Sequence, residues 1–171
     1  MAVLTLPVRH GFAQAYKDSL ETEGCWFGLG QTSAWSSGDT NPPDPDPEAT
    51  TINEPIGYKK ASLITFVKQD PSGTITYLGE KYSAIEDEQA ETENCVLLII
   101  RAVIEYDELP ATTTRQLGIF CGLTPTTGNE SKEALLPAEV QDVGRLDVLD
   151  NTIPNTRAEY QRDEYTYMIQ F

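Results

Sequence analysis

The longest apolar run in the chain is residues 95–106, CVLLIIRAVIEY, which contains neither glycine nor proline. Val96, Ile99, Ile100, Val103 and Ile104 are β-branched, which favours a pleated strand over a helix. Its centre is apolar on both faces, the pattern of a covered strand. Arg101 and Glu105 are an even number of residues apart, so one face turns polar towards the end. A second apolar stretch, residues 115–123 (RQLGIFCGL), follows a turn-rich loop that contains Pro110. Together the two read as the central hairpin of a mostly β domain.

The other elements are shorter. In residues 11–23, Phe12, Tyr16 and Leu20 recur every fourth position with Ala13 beside them, which predicts a helix packed on the sheet through that stripe. Gly24 is placed to end it. Residues 25–32 (CWFGLGQT) read as a strand in which Gly28 and Gly30 mark a bulge or a close backbone approach. Residues 56–68 read as a strand, or as two strands broken near Lys59 and Lys60. Asp70, Pro71, Ser72 and Gly73 have turn chemistry, and residues 74–78 return as the second arm of a hairpin. Residues 79–94 are acidic and read as a solvated loop with at most one helical turn. Residues 124–141 form a polar connection in which residues 134–136 touch the core. Residues 143–149 predict a short strand and residues 150–154 a turn. In residues 162–171, Tyr165, Tyr167, Ile169 and Phe171 alternate with polar neighbours, which predicts a closing strand.

Two segments fall outside this pattern. Residues 1–7 form a short apolar arm in which Val3 and Leu4 could join a sheet edge or a neighbouring subunit. Residues 33–55 contain NPPDPDP and are the least compact stretch; proline stiffens them into an extended loop. That length calls for a function or for order imposed by a partner. Trp35 is read as its large apolar anchor, fastened either to its own domain or into a partner. With no linker and no internal repeat, the expectation is one domain spanning residues 1–171.

Composition narrows the partners. The 27 acidic and 12 basic residues give a net charge of -15. Such a surface repels nucleic-acid phosphates and anionic membranes, and suits protein partners. The three cysteines, Cys25, Cys95 and Cys121, are odd in number and widely spaced, so reduced buried thiols are expected rather than a disulfide framework. The first residues lack the basic start and long apolar region of a signal peptide, which fits synthesis in a reducing cytoplasm.

The chemistry-bearing residues do not assemble into a recognisable reaction. His10 is the one histidine, at the start of the first helix, and no nucleophile motif accompanies it; it reads as a surface or capping residue. The residues call for no cofactor, and short-spaced His or Cys metal ligands are absent. Asp39, Asp44, Asp46 and Glu48 offer oxygen ligands for calcium, but the interleaved prolines favour solvated acids. Glu86, Asp87, Glu88, Glu91 and Glu93 could supply a glycosidase pair only if two faced each other across a cleft.

Four segments carry a resemblance: WFGLGQTSAW from Trp26, NPPDPDP from Asn41, RQLGIFCGLTPTTG from Arg115 and GRLDVLDNTIPNTRAEYQRDEYTYMIQF from Gly144. Their order and spacing resemble small virion proteins of tailed bacteriophages, of the kind that form the baseplate wedge or related tail and neck components. The resemblance implies a subunit of the virion, made in the host cytoplasm, that holds neighbouring virion proteins and copies of itself and needs no active site. The implied contacts are residues 1–7, the 33–55 loop and the 151–161 block, with Trp35, Asn41, Pro42, Pro43, Asn151, Pro154, Arg157 and Gln161 as the contact residues. Arg157 would pair with carboxylates of a neighbour or brace its own turn. Trp26, Phe27, Phe120 and Phe171 are assigned to the core.

The reading is an antiparallel β-sandwich or distorted barrel with one N-terminal helix and long Pro/Asp-rich loops, acting as a non-enzymatic structural subunit. The competing classes are a soluble acidic binding module, such as an inhibitor or DNA mimic, and a cell-wall hydrolase.

Overall fold

The computed structural model describes residues 2–171; Met1 of the predicted arm lies outside the described residues. The chain is mostly β, with an N-terminal helix and a second, shorter one. In order it forms α1 (Leu6–Glu23), β1 (Cys25–Gly30), β2 (Gly57–Lys60), β3 (Leu63–Gln69), β4 (Ile75–Tyr77), β5 (Glu80–Ile85), α2 (Asp87–Glu93) and β6 (Leu97–Ile104). Then follow β7 (Thr113–Cys121), β8 (Thr124–Pro125), β9 (Ala134–Leu135), a 3-10 turn (Pro137–Glu139), β10 (Val140–Asp142), β11 (Arg145–Thr156) and β12 (Asp163–Gln170).

The chain divides into two compact units. One contains residues up to Thr22, Ser62–Arg101 and Tyr165–Phe171; the other contains Glu23–Ala61 and Ala102–Glu164.

The first unit is built on a sheet of order β12-β6-β3-β5-β4. Val67, Ile75 and Ile99 form a buried cluster against which Leu63, Tyr82 and Met168 pack. The turn at residues 70–73 forms, with Gly73 N donating to Asp70 O at 2.8 Å. It does not close the expected hairpin: β3 pairs with β5, and β4 takes the far side of β5. The tight hairpin is β4–β5, turned by Leu78 and Gly79 at φ 48° and 85° between paired Tyr77 and Glu80. Two successive positive φ values are the geometry of a type I′ turn, which matches strand twist. The acidic stretch after it is therefore a strand and a helix rather than a solvated loop.

Helix α1 is longer than its periodicity predicts, and its buried face takes Ala13 and Leu20 of the expected stripe, with Tyr16 half-buried at its edge, but is turned away from Phe12 towards His10 and Lys17. Its buried residues are His10, Ala13, Lys17 and Leu20, whereas Phe12 is 56% exposed. His10 is thus not a surface residue. Its Nδ1 lies 2.7 Å from Cys95 O and its ring centroid 5.4 Å from that of Phe66. Lys17 can be buried because Glu21 and Asp87 meet its Nζ at 2.8 and 3.0 Å. Burial works against its charge, yet the two carboxylates outweigh that and raise its pKa.

The second unit holds a sheet of order β11-β7-β1-β2-β9 and a small β10-β8 ribbon. The inner strands β1 and β7 are buried almost throughout; β1 and the second half of β7, from Leu117, read as apolar runs, while Thr114, Arg115 and Gln116 are buried polar residues. The apolar runs β6 and β7 do not form a central hairpin. Each is covered on both faces and needs two flanking strands. β6 finds β3 and β12, and β7 finds β1 and β11. Gly28 lies directly opposite Gly118. A Cβ on Gly28 would come within 2.6 Å of the Phe120 ring and 2.9 Å of Ile52. The paired glycines thus form a notch that admits Phe120 and Ile52 to the core cluster with Trp26, Tyr58 and Leu135.

Residues 150–154, expected to turn, continue the 12-residue strand β11. Its register against β7 shifts between Asn151 and Asn155. Pro154 falls in that irregularity, where its missing N–H breaks no ladder bond.

Candidate functional site

The 33–55 loop is fastened to its own unit at four levels. At its root, Ile52 is 2% exposed in the glycine notch. Around it, Gln31 N donates to Asn53 O at 2.7 Å and Asn53 N donates to Gln116 Oε1 at 2.6 Å. Next, Glu54 accepts bonds from Thr32 Oγ1, Ser33 N and Ser33 Oγ at 2.6–2.8 Å. Those donors, led by the Thr32 hydroxyl, pull its carboxyl down to about 2.

In the middle, Arg115 closes a two-pronged grip on Asp39, with Nε to Oδ1 at 2.7 Å and an Nη to Oδ2 at 2.9 Å. Its other Nη donates to Thr32 O at 2.5 Å. The Arg115 guanidinium holds the Asp39 carboxyl below its ordinary value. At the outer level, Trp35 Nε1 donates to Thr152 O at 3.0 Å, and Asn151 Nδ2 donates to Pro43 O at 3.1 Å. Gln116 Nε2 in turn donates to Asn151 Oδ1 at 2.8 Å.

Trp35, Pro43 and Asn151 are therefore brought together, along a cleft that Gln116 and Leu149 also line. Asn41 is exposed in the same loop, its N donating to Gly38 O, and Pro42 is half-buried. Beyond Pro42 the whole stretch 43–48 is exposed. The grip stops short of the loop tip and leaves a stiff, acidic prow.

Arg157 and Gln161 form a separate group. Arg157 is 5% exposed. It donates to Leu109 O and Glu105 O, and to Gln161 O at 3.3 Å. Its Nε is 3.0 Å from Asp163 Oδ2, an ion pair out of hydrogen-bond alignment. Gln161 Nε2 donates to Asp163 Oδ1 at 2.8 Å. The donors of Arg157 are spent on its own chain, so any effect on a neighbour passes through the turn it braces. Beside that turn, Tyr160 is 83% exposed, and Ile153 of β11 is 62% exposed.

Of the two roles the sequence leaves open for Arg157, a carboxylate pair with a neighbour or a brace of its own turn, the bonds within the chain are those of the brace; the two-pronged carboxylate geometry belongs to Arg115 and Asp39. Sequence reasoning missed Ile52, the buried anchor of the loop, and Glu54. The signal available was the single aliphatic residue in TTINEP, isolated among polar neighbours.

The family model described as "Baseplate wedge 3 tail fiber network component" matches residues 1–171. The chain belongs to this baseplate wedge family. It is accordingly a structural protein of the phage virion, in agreement with the resemblance carried by its Trp26, Asn41, Arg115 and Gly144 segments. "Virion protein 3" of Enterococcus phage phiEF24C is 36% identical over 135 residues, covering 75% of this chain and 74% of that protein. No helix among the described residues is long and apolar enough to cross a membrane.

Proposed function

We propose that this baseplate wedge family member is a non-enzymatic assembly subunit that holds its neighbours, other virion proteins and copies of itself, through the 33–55 loop, the 151–161 block and the N-terminal arm. The observation that carries this reading is the way the loop is held. The Arg115–Asp39 grip, the Glu54 clasp and the Trp35–Thr152 bond all stiffen it behind an exposed acidic tip. A segment ordered in advance loses less entropy when a partner binds.

The site needs no reaction chemistry. His10 is buried against Cys95 O, Lys17 is committed to Glu21 and Asp87, and Arg157 to its own turn. Five exposed acids and prolines at Asp44–Glu48 suit a basic surface on the neighbour rather than nucleic acid.

The test is a phage whose copy of this gene carries Trp35→Ala with Asn151→Ala. The purified variant stays folded, because both residues are only half-buried, while particles carrying a complete baseplate fall at least about tenfold. Normal particle yield with the folded variant would remove the loop from the interface. Intact, infective particles from a deletion of the gene would remove the assembly role.

A further inference from the structure

Helix α1 presents an apolar ridge to the outside. Val8 and Phe12, one turn apart, are 45% and 56% exposed, and Val3 and Leu4 just ahead of the helix are 80% and 62% exposed. Residues four apart on a helix are surface neighbours, so Val8 and Phe12 form a continuous strip. The opposite face of α1 buries His10 and Lys17. That face also buries Ala13 and Leu20, so the helix already has an apolar stripe of its own inside, and Val8 and Phe12 are apolar side chains left outside it, beyond what its own packing uses. Single exposed apolar residues are ordinary, but a row of them marks an interaction site.

Beside the ridge runs a cleft between α1 and α2, lined by Gly11, Gln14 and Asp18 on one side and Asp87, Glu88 and Glu91 on the other. Asp87 is paired with Lys17, and Asp18 takes a hydrogen bond from Gln14 at 2.8 Å. Glu88 and Glu91 meet no cation among the described residues. An apolar ridge flanked by uncompensated carboxylates has one complementary partner: apolar side chains flanked by lysine or arginine.

We propose that this face of α1 docks a basic, apolar-edged segment of a different virion protein. A second copy of the chain is disfavoured as the occupant, because each copy carries a net charge of -15 and would bring acids to acids. An anionic membrane is repelled for the same reason. The inference rests on the assembly-subunit reading, which supplies the partner.

Two variants test it, Val8→Ser with Phe12→Ser on the ridge and Glu88→Lys with Glu91→Lys in the cleft. All four side chains are exposed, so circular dichroism and melting of the purified proteins should match wild type. The charge-reversed variant keeps the test open if the serine variant fails to fold. The probe in solution is a fluorescent amphipathic helical peptide of leucine and lysine, compared with its leucine and glutamate counterpart. Wild type should bind the lysine peptide at least about tenfold more tightly than the glutamate peptide, with affinity falling as salt rises. The ridge variant should lose that binding, and the cleft variant should reverse the preference. In phage carrying each variant, the chain should be depleted from purified particles by a similar factor.

Equal binding of both peptides, or variants incorporated at wild-type level beside a wild-type control that is itself incorporated, would overturn this proposal and leave the assembly reading standing. A wild-type chain absent from purified particles would instead overturn the assembly reading. Light scattering that shows a wild-type dimer, dissolved by the ridge substitutions, would place a second copy on this face and overturn the choice of partner.

Discussion

Arg115 holds Asp39 through two parallel hydrogen bonds of 2.7 and 2.9 Å, joining the second inner strand of a sheet to the middle of a proline-rich loop 76 residues away in sequence. The planar guanidinium fork matches a carboxylate in a way that an ammonium cannot. Arg115→Lys keeps the charge and discards the fork. We expect amide exchange in residues 35–41 to accelerate by about tenfold or more in this variant, with the sheet amides of β1 and β7 unchanged. Unchanged exchange in the loop would mean that its other fastenings, Trp35 to Thr152 and Asn151 to Pro43 among them, hold it without the grip.

The Glu54 clasp makes the root of the loop sensitive to acid. Its carboxyl has a folded pKa of about 2 against an ordinary value of 4.5. A depressed pKa contributes stability that is complete above the unfolded value and is lost as pH falls through the folded one. The clasp should therefore hold at neutral pH and weaken from about pH 4.5 towards pH 2. Limited proteolysis with pepsin across that window should show cleavage near Ser33 rising as pH falls. Glu54→Gln should be cut readily at every pH in the window, with its pH dependence flattened.

How much of this was legible in the sequence varies by element. The covered strand β6, the closing strand β12 and the stop at Gly24 were readable because burial and backbone chemistry leave local marks: β-branched runs, alternation, and a glycine at φ 92°. Strand partners were not readable. Nothing in CVLLIIRAVIEY or RQLGIFCGL says which other strands will cover them, so adjacency in sequence suggested a hairpin that does not form. β5 was hidden because only Ile85 of its six residues is fully buried. The stripe of α1 is legible at Ala13 and Leu20, and fails at Phe12, His10 and Lys17 for a further reason. Periodicity assumes that lysine and histidine lie outside, whereas Lys17 is drawn inward by Glu21 and Asp87, one of them 70 residues distant. At the site, Trp35 and Asn151 are singled out by residue type and by resemblance as contacts to a neighbour, and the structure shows that they join the loop to β11. Ile52 and Arg115 act through long-range packing that one sequence does not display.

The glycine notch predicts an asymmetry. On Gly28 a methyl would meet the Phe120 ring at 2.6 Å and Ile52 at 2.9 Å, both fixed in the core. On Gly118 the nearest atom, at 2.8 Å, is the end of the Leu146 side chain, which can turn away. Overpacking a filled core costs about 1–3 kcal/mol. Gly28→Ala should fall at the upper end of that range and Gly118→Ala at the lower, measured by urea unfolding. Equal costs would show that the notch is not shaped by Phe120 and Ile52.

Arg157 should matter more to stability than its place in a terminal block implies. Arg157→Met removes the guanidinium that satisfies Leu109 O and Glu105 O and strands Asp163, itself 9% exposed. Breaking a buried pair by removing one partner costs about 3–5 kcal/mol. The companion Asp163→Asn leaves the carbonyls satisfied and should cost less. If Arg157→Met melts within a degree of wild type, the brace is not what holds the turn beside Tyr160.

The two compact units raise the question of how many times the chain unfolds. Tandem domains are joined by one linker, and each melts alone. Here the backbone passes between units after Thr22, Ala61, Arg101 and Glu164. Two of those passages fall inside strands: β6 crosses between Arg101 and Ala102, and β12 between Glu164 and Tyr165. A strand cannot fray in one sheet without disturbing backbone hydrogen bonds that continue along the same strand. We therefore expect the chain to melt as one domain, in a single calorimetric transition whose enthalpy equals its van't Hoff value. A substitution in either unit, Val67→Ala in the first or Ile52→Ala in the second, should lower that one midpoint without splitting it. Two resolved transitions, with Ile52→Ala moving only one of them, would show that the units fold independently and that residues 1–171 are not a single cooperative domain.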